Sequence, residues 1–86
     1  MRPIERIDSI TLLLDEIWRF DPDMRFMQLV YVLQSKFSAI QGGAGKVVEY
    51  DEHDSGRVGY DLFNIEDTNF ESFLVEYLND LKTSRS

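Results

Sequence analysis

Residues 40–54 read Ile40-Gln41-Gly42-Gly43-Ala44-Gly45-Lys46-Val47-Val48-Glu49-Tyr50-Asp51-Glu52-His53-Asp54, "IQGGAGKVVEYDEHD", and the apolar period of the chain changes across them. Before this stretch apolar residues recur every three or four positions. After it they alternate. Glycine just past a helix end takes left-handed dihedrals at little cost, so Gln41 to Gly45 predicts a helix stop and a hinge. Val48 and Tyr50 then alternate with Val47 and Glu49. Beyond Asp54-Ser55-Gly56, Val58, Tyr60 and Leu62 alternate with Arg57, Gly59 and Asp61. Two short alternating runs around a glycine-containing turn predict a β-hairpin at about 46–63; an ordered irregular loop has the same composition.

The same stretch contains fragments of two ligand motifs, and spacing decides against both. A phosphate-binding P-loop needs glycine five residues before its Gly-Lys pair and Ser or Thr after the lysine. Here those positions are Ile40 and Val47, and a helix precedes where a strand is required. An EF-hand calcium loop starting at Asp51 places Gly56 correctly at six. It also puts His53 at three and Leu62 at twelve, where a bidentate glutamate is needed. His53 is the only histidine, which excludes a two-histidine metal site within one chain. A His53 general base beside its carboxylate neighbours is the remote enzymatic alternative. No cofactor and no metal ligand is assigned.

Working outward, residues 3–19 predict a helix. Pro3 suits its first position, and Ile4, Ile7, Ile10, Leu13, Leu14, Ile17 and Trp18 form an apolar stripe. Asp21-Pro22 predicts the cap and first residue of a second helix over 22–40. Phe26, Val30, Leu33, Phe37 and Ile40 share one face of it, and Met24, Met27 and Tyr31 another. Two apolar faces imply a helix packed on both sides or exposed to a partner. Thr68-Asn69-Phe70-Glu71 fits a capping box that starts a third helix over 69–82, with Thr83 to Ser86 as a frayed tail. The expected fold is mainly α within α+β: three helices and the hairpin or loop, in one domain spanning residues 1–86. The expected core is Ile7, Ile10, Leu14, Ile17, Val30, Leu33, Phe37, Phe73, Leu74, Tyr77 and Leu78.

Composition narrows the function classes. The absence of cysteine removes disulfides, thiolate ligands and cysteine nucleophiles. The longest apolar run, Leu29 to Leu33, is far too short to span a bilayer, and Glu5 and Asp8 interrupt any leader pattern, so a cytoplasmic protein is expected. The net charge is −7. In residues 46–67, Lys46 and Arg57 stand against Glu49, Asp51, Glu52, Asp54, Asp61, Glu66 and Asp67. Like charge disfavours direct binding to nucleic-acid phosphates and attracts a basic protein surface.

Arg6-Ile7, Trp18, Pro22-Asp23-x-Arg25-x-x-Gln28-Leu29 and Asp61-x-Phe63-x-Ile65-Glu66-Asp67 together resemble short uncharacterised bacterial and phage proteins of the YihD-like group. The resemblance covers residues 4–33 and 61–78 and leaves out 41–60. It implies a small, mostly helical cytoplasmic protein, transfers no catalytic residue, and suggests that Pro22, Asp23, Arg25 and Gln28 matter beyond capping. The reading of the residues themselves is a non-catalytic interaction module. Its expected partner-binding residues are Glu49, Tyr50, Asp51, Glu52, Asp54, Tyr60 and Asp61, and its partner is a protein with a basic surface. In a phage setting it would inhibit a nucleic-acid-binding protein. The alternative is a homo-oligomeric structural protein that dimerises through helix two.

Overall fold

The computed structural model describes residues 2–50 and 56–84. In chain order these form helix α1 (Glu5–Trp18), helix α2 (Phe26–Ile40), strand β1 (Lys46–Tyr50), strand β2 (Gly56–Tyr60) and helix α3 (Asp67–Ser84). The expected mainly α fold with a hairpin is therefore present. Two compact units are distinguished: Met1–Arg25 with Ile65–Ser86, and Phe26–Asn64.

The first unit is a helix pair. Arg2 pairs with Glu66, Arg6 with Asp67, and Ser9 with Glu71. Both members of these pairs advance together along the chain, so α1 and α3 run parallel with their N-termini adjacent. The apolar part of the unit includes the buried Ile17, Phe73, Leu74 and Leu78. Phe73 also stacks obliquely with Phe70 and Tyr77 at centroid separations of 5.5 and 5.7 Å. The expected core needs correction at Ile7, which is half exposed, and Ile10, Leu14 and Tyr77 are only half-buried. At this level α1 meets α3 through Arg6 and Ser9, so the polar residues occupy positions that the apolar stripe was expected to fill.

The helix boundaries shift for local reasons. Pro3 precedes α1, and its carbonyl accepts hydrogen bonds from the Arg6 backbone N–H and side chain. The expectation that Asp21 caps a helix begun by Pro22 is wrong by four residues. After α1 the chain tightens through Phe20 N–H to Ile17 O and Asp21 N–H to Trp18 O. Asp21 to Met24 then forms a turn closed by Met24 N–H to Asp21 O at 3.1 Å, with Pro22 at the second position that proline favours. The Trp18 indole N–H donates to the Met24 carbonyl at 2.7 Å and holds the turn, so α2 begins only at Phe26. The capping box is also displaced. Phe70 N–H bonds to Glu66 O, which makes Glu66 the cap residue, and Glu71 accepts from Ser9. The helix continues to Ser84, through part of the expected tail.

The second unit is built on how α2 ends. Gly42 N–H bonds to Ala39 O and Gly43 N–H to Ser38 O, the paired bonds of a Schellman motif. Gly42 and Gly43 have φ of 72° and 90°, as that motif and its exit require. Lys46 N–H bonds back to Gly43 O, and β1 begins. The strands pair antiparallel with Lys46 opposite Tyr60, Val48 opposite Val58 and Tyr50 opposite Gly56. Gly45 continues that register opposite Asp61, whose N–H donates to Gly45 O at 2.7 Å. A Cβ at Gly45 would lie 2.5 Å from Leu62 Cδ2 and 2.7 Å from Asp61 O, and φ is already 75°. On α2 the buried stripe is Leu29, Leu33 and Phe37, one helical turn apart. Val30, expected in the core, is half-buried, while Phe26 and Ile40 of its expected face are exposed. Burying each of the three contributes about 1.5–3 kcal/mol.

Two stability differences follow from these contacts. Gly45→Ala is expected to cost about 3 kcal/mol and Gly42→Ala, which meets open space, about 1 kcal/mol, in urea unfolding; equal losses would count against the close approach at Gly45. Ser38 is 1% exposed and its hydroxyl has no hydrogen-bond partner among the described residues. Ser38→Ala removes an unsatisfied buried group and improves helix propensity, so it is expected to raise stability by about 1 kcal/mol in the same assay.

Candidate functional site

Four of the expected partner-binding residues lie on or beside the hairpin strands. Glu49 and Tyr50 end β1, opposite Arg57 and Gly56. Tyr60 ends β2 and Asp61 follows it. Asp51, Glu52 and Asp54, with His53, lie outside the described residues. In sequence they connect β1 to β2, so the hairpin register brackets them with the other four.

Tyr60 serves the unit from within. Its hydroxyl is 3.1 Å from Ser35 Oγ on α2, and its ring meets Tyr31 edge-on with centroids 5.5 Å apart and planes at 65°. Tyr31 in turn donates its hydroxyl to Val58 O at 3.4 Å. An edge-on aromatic pair contributes about 0.5–1.5 kcal/mol beyond burial, so the two tyrosines fasten β2 to α2. Asp61 is exposed, and its Oδ1 accepts the Phe63 N–H at 3.3 Å, which shapes the exit from the hairpin. Phe63 itself is 91% exposed.

The alternation of antiparallel bonding fixes which backbone groups of the hairpin point outward. Gly45 and Asp61 form a hydrogen-bonded pair, so Val47–Gly59 and Glu49–Arg57 do as well, and the pairs between them do not. Lys46, Val48 and Tyr50 on β1, and Val58 on β2, therefore turn their N–H and C=O groups away from the partner strand. Among the described residues, Gly43 O occupies the Lys46 N–H and the Tyr31 hydroxyl occupies Val58 O.

Glu66 and Asp67, next to the acidic segment in sequence, belong to the helix-pair unit and pair with arginines there. Arg2 binds Glu66 through Nε and Nη2 at 3.3 and 3.1 Å. Arg6 Nε reaches Asp67 Oδ2 at 2.6 Å. The hydrogen bond from Arg2 to Glu66, with the attraction of that carboxylate, raises the Arg2 pKa further above its ordinary value. A groove of about 290 Å³ lies at this end of the helix pair, lined in part by Arg2, Arg6, Ser9, Glu66, Asp67 and Glu71. Both guanidinium groups in it are already bound to carboxylates, and Glu71 accepts the Ser9 hydroxyl. The groove is the polar seam of α1 and α3. None of these pairs was visible in sequence, because the partners stand 61 to 64 positions apart. Among the described residues no group of three or more His, Asp or Glu side chains is placed to hold a metal ion. No helix among them is long and apolar enough to cross a membrane.

Comparison with family models, with curated proteins and with solved structures finds no match for this chain. Function must be read from its own residues and geometry.

The seam is open to a direct test. A double-mutant cycle of Arg6→Ala and Asp67→Ala is expected to give a coupling of about 0.5–1 kcal/mol, since both side chains are only partly exposed. Chemical denaturation of the four proteins measures it, and additive losses would show that the pair contributes nothing.

Proposed function

We infer that this protein is a non-catalytic interaction module whose hairpin binds a basic protein surface. The observation that carries the reading is the run of carboxylates in the sequence that the two hairpin strands bracket. The carboxylates of Glu66 and Asp67 are taken up by Arg2 and Arg6. Residues 46–61 keep Glu49, Asp51, Glu52, Asp54 and Asp61 against Lys46 and Arg57, a net of −3 carried by two strands and the residues joining them. Charge concentrated on one hairpin steers a cationic partner and raises its association rate. Val47 and Val48 are substantially exposed on the same element and supply apolar contact area. A nucleic-acid-binding protein has a basic surface of the required kind, and occupying its groove would make this chain an inhibitor.

Neutralising the hairpin with Asp51→Asn, Glu52→Gln and Asp54→Asn together is expected to slow association with a lysine-rich peptide by about tenfold at low salt. Rising salt is expected to erase the difference, because the screening length falls to about 10 Å at 0.1 M. Stopped-flow association across a salt series reads both effects. Equal rates for the two proteins at every salt concentration would remove the hairpin as the contact surface.

A further inference from the structure

We propose that the outer face of α1 packs a cationic amphipathic helix of another protein. Ile4 is 72%, Ile7 50% and Leu12 59% exposed. Ile4 precedes the helix with helical dihedrals, φ −69° and ψ −24°, so it extends the same surface. Successive positions turn by about 100° around a helix. Ile4, Asp8 and Leu12 therefore form one ridge of four-residue steps, and Ile7, Thr11 and Asp15 form the ridge beside it. All six are exposed, and the buried Ile17 lies on the opposite side of the helix. Single exposed aliphatics are ordinary on a protein surface, but these three adjoin across two neighbouring ridges.

Thr11 adds to the apolar character of the face. Its hydroxyl donates to the Ile7 carbonyl at 2.7 Å and lies 3.2 Å from the Asp8 carbonyl. The helix backbone thus satisfies it, and a partner can cover Thr11 without stranding a polar group. Asp15 is likewise engaged, by Arg19 one turn on. Asp8 is different: among the described residues neither it nor Glu5 forms an ion pair.

Shape and charge select the occupant. The groove between two ridges of four-residue steps receives a ridge of a second helix. Asp8 stands one turn from both Ile4 and Leu12, so a partner that covers the two aliphatics also takes Asp8 from water. A desolvated carboxylate is costly unless a cation meets it. The partner must therefore bring lysine or arginine beside its apolar side chains, and charges so placed choose partners between packed helices. A second copy of the chain does not meet this need, because a twofold contact centred on the three aliphatics sets Asp8 against Asp8. The face belongs to the helix-pair unit and shares no residue with the hairpin, so it does not depend on the acidic-hairpin reading.

Two synthetic helical peptides with the same leucine stripe serve as probes on the full chain, one carrying lysine and the other glutamate beside the stripe. Backbone amide shifts are followed by NMR during titration, and affinity by calorimetry. The lysine peptide is expected to bind and to move the amides of residues 4–15. Ile7→Ser with Leu12→Ser is expected to weaken it by about tenfold or more. Asp8→Asn, which keeps the shape and removes the charge, is expected to weaken it by about tenfold. Urea unfolding checks that the variants fold, and the shift map on the unaltered protein decides should one of them fail. Shifts confined to the hairpin, affinity unchanged by the serine pair or by Asp8→Asn, equal binding of the glutamate peptide, or no binding of either overturns the proposal. Shifts on α1 that grow with protein concentration in the absence of peptide assign the face to a second copy and overturn it as well.

Discussion

Three of the four consecutive residues from Gly42 to Gly45 hold positive φ, and the architecture of the second unit depends on that run. Gly42 and Gly43 let the last carbonyls of α2 find donors while the chain reverses. Gly45 then passes so close to Asp61 and Leu62 that only a hydrogen fits in place of a side chain. The first effect ends a helix, and the second sets a strand register. Because Gly45 stands opposite Asp61, every later pair is determined, including which groups of Val48 look outward. Which backbone groups of β1 face outward is therefore a downstream result of backbone sterics at one residue. Tyr31 and Tyr60 close the other edge.

The helix pair answers a different constraint. Parallel neighbouring helices place two positive N-terminal dipole ends side by side, which is unfavourable unless negative charge gathers there. Glu5 and Asp8 lie in the first turn of α1 and Asp67 in that of α3, with Glu66 at its cap. Arg2 and Arg6 then balance the carboxylates of α3. Four of the sixteen acidic residues therefore have a structural role at one end of a helix pair. Net charge by itself would have misplaced it.

What could be read in the sequence followed from local rules. The hairpin showed in the change of apolar period at Gly42–Gly45, and each helix showed in its periodic stripe. Boundaries failed where a tertiary or longer-range contact overrode a local cap: the Trp18 indole on Met24 delays α2, and Ser9 draws Glu71 away from a capping role. The core was misjudged at Ile7 and Val30, because periodicity gives a face but not its centre. Of the candidate surface, Glu49 and Tyr50 lie at the end of β1, Tyr60 at the end of β2 and Asp61 just beyond it. The internal work of Tyr60 was not legible, since its partners Tyr31 and Ser35 are far away in sequence and carry no motif.

The order of the elements bears on how the chain acquires its structure. Residues 26–64 form a continuous unit, while the other unit is assembled from the two segments that flank it. During synthesis the hairpin unit is complete before any of α3 has been made. The helix pair must wait, since its Arg6–Asp67 and Ser9–Glu71 contacts close loops of 61 and 62 residues. Loop-closure entropy rises only slowly with length, so a pre-formed unit inside the loop shortens the effective closure at modest gain. Until then α1 presents Ile17, buried in the finished fold, and the half-buried Ile10 and Leu14 with no α3 to pair with. A nascent chain of this design passes through a stage at which its first helix is a target for chaperones or for premature association.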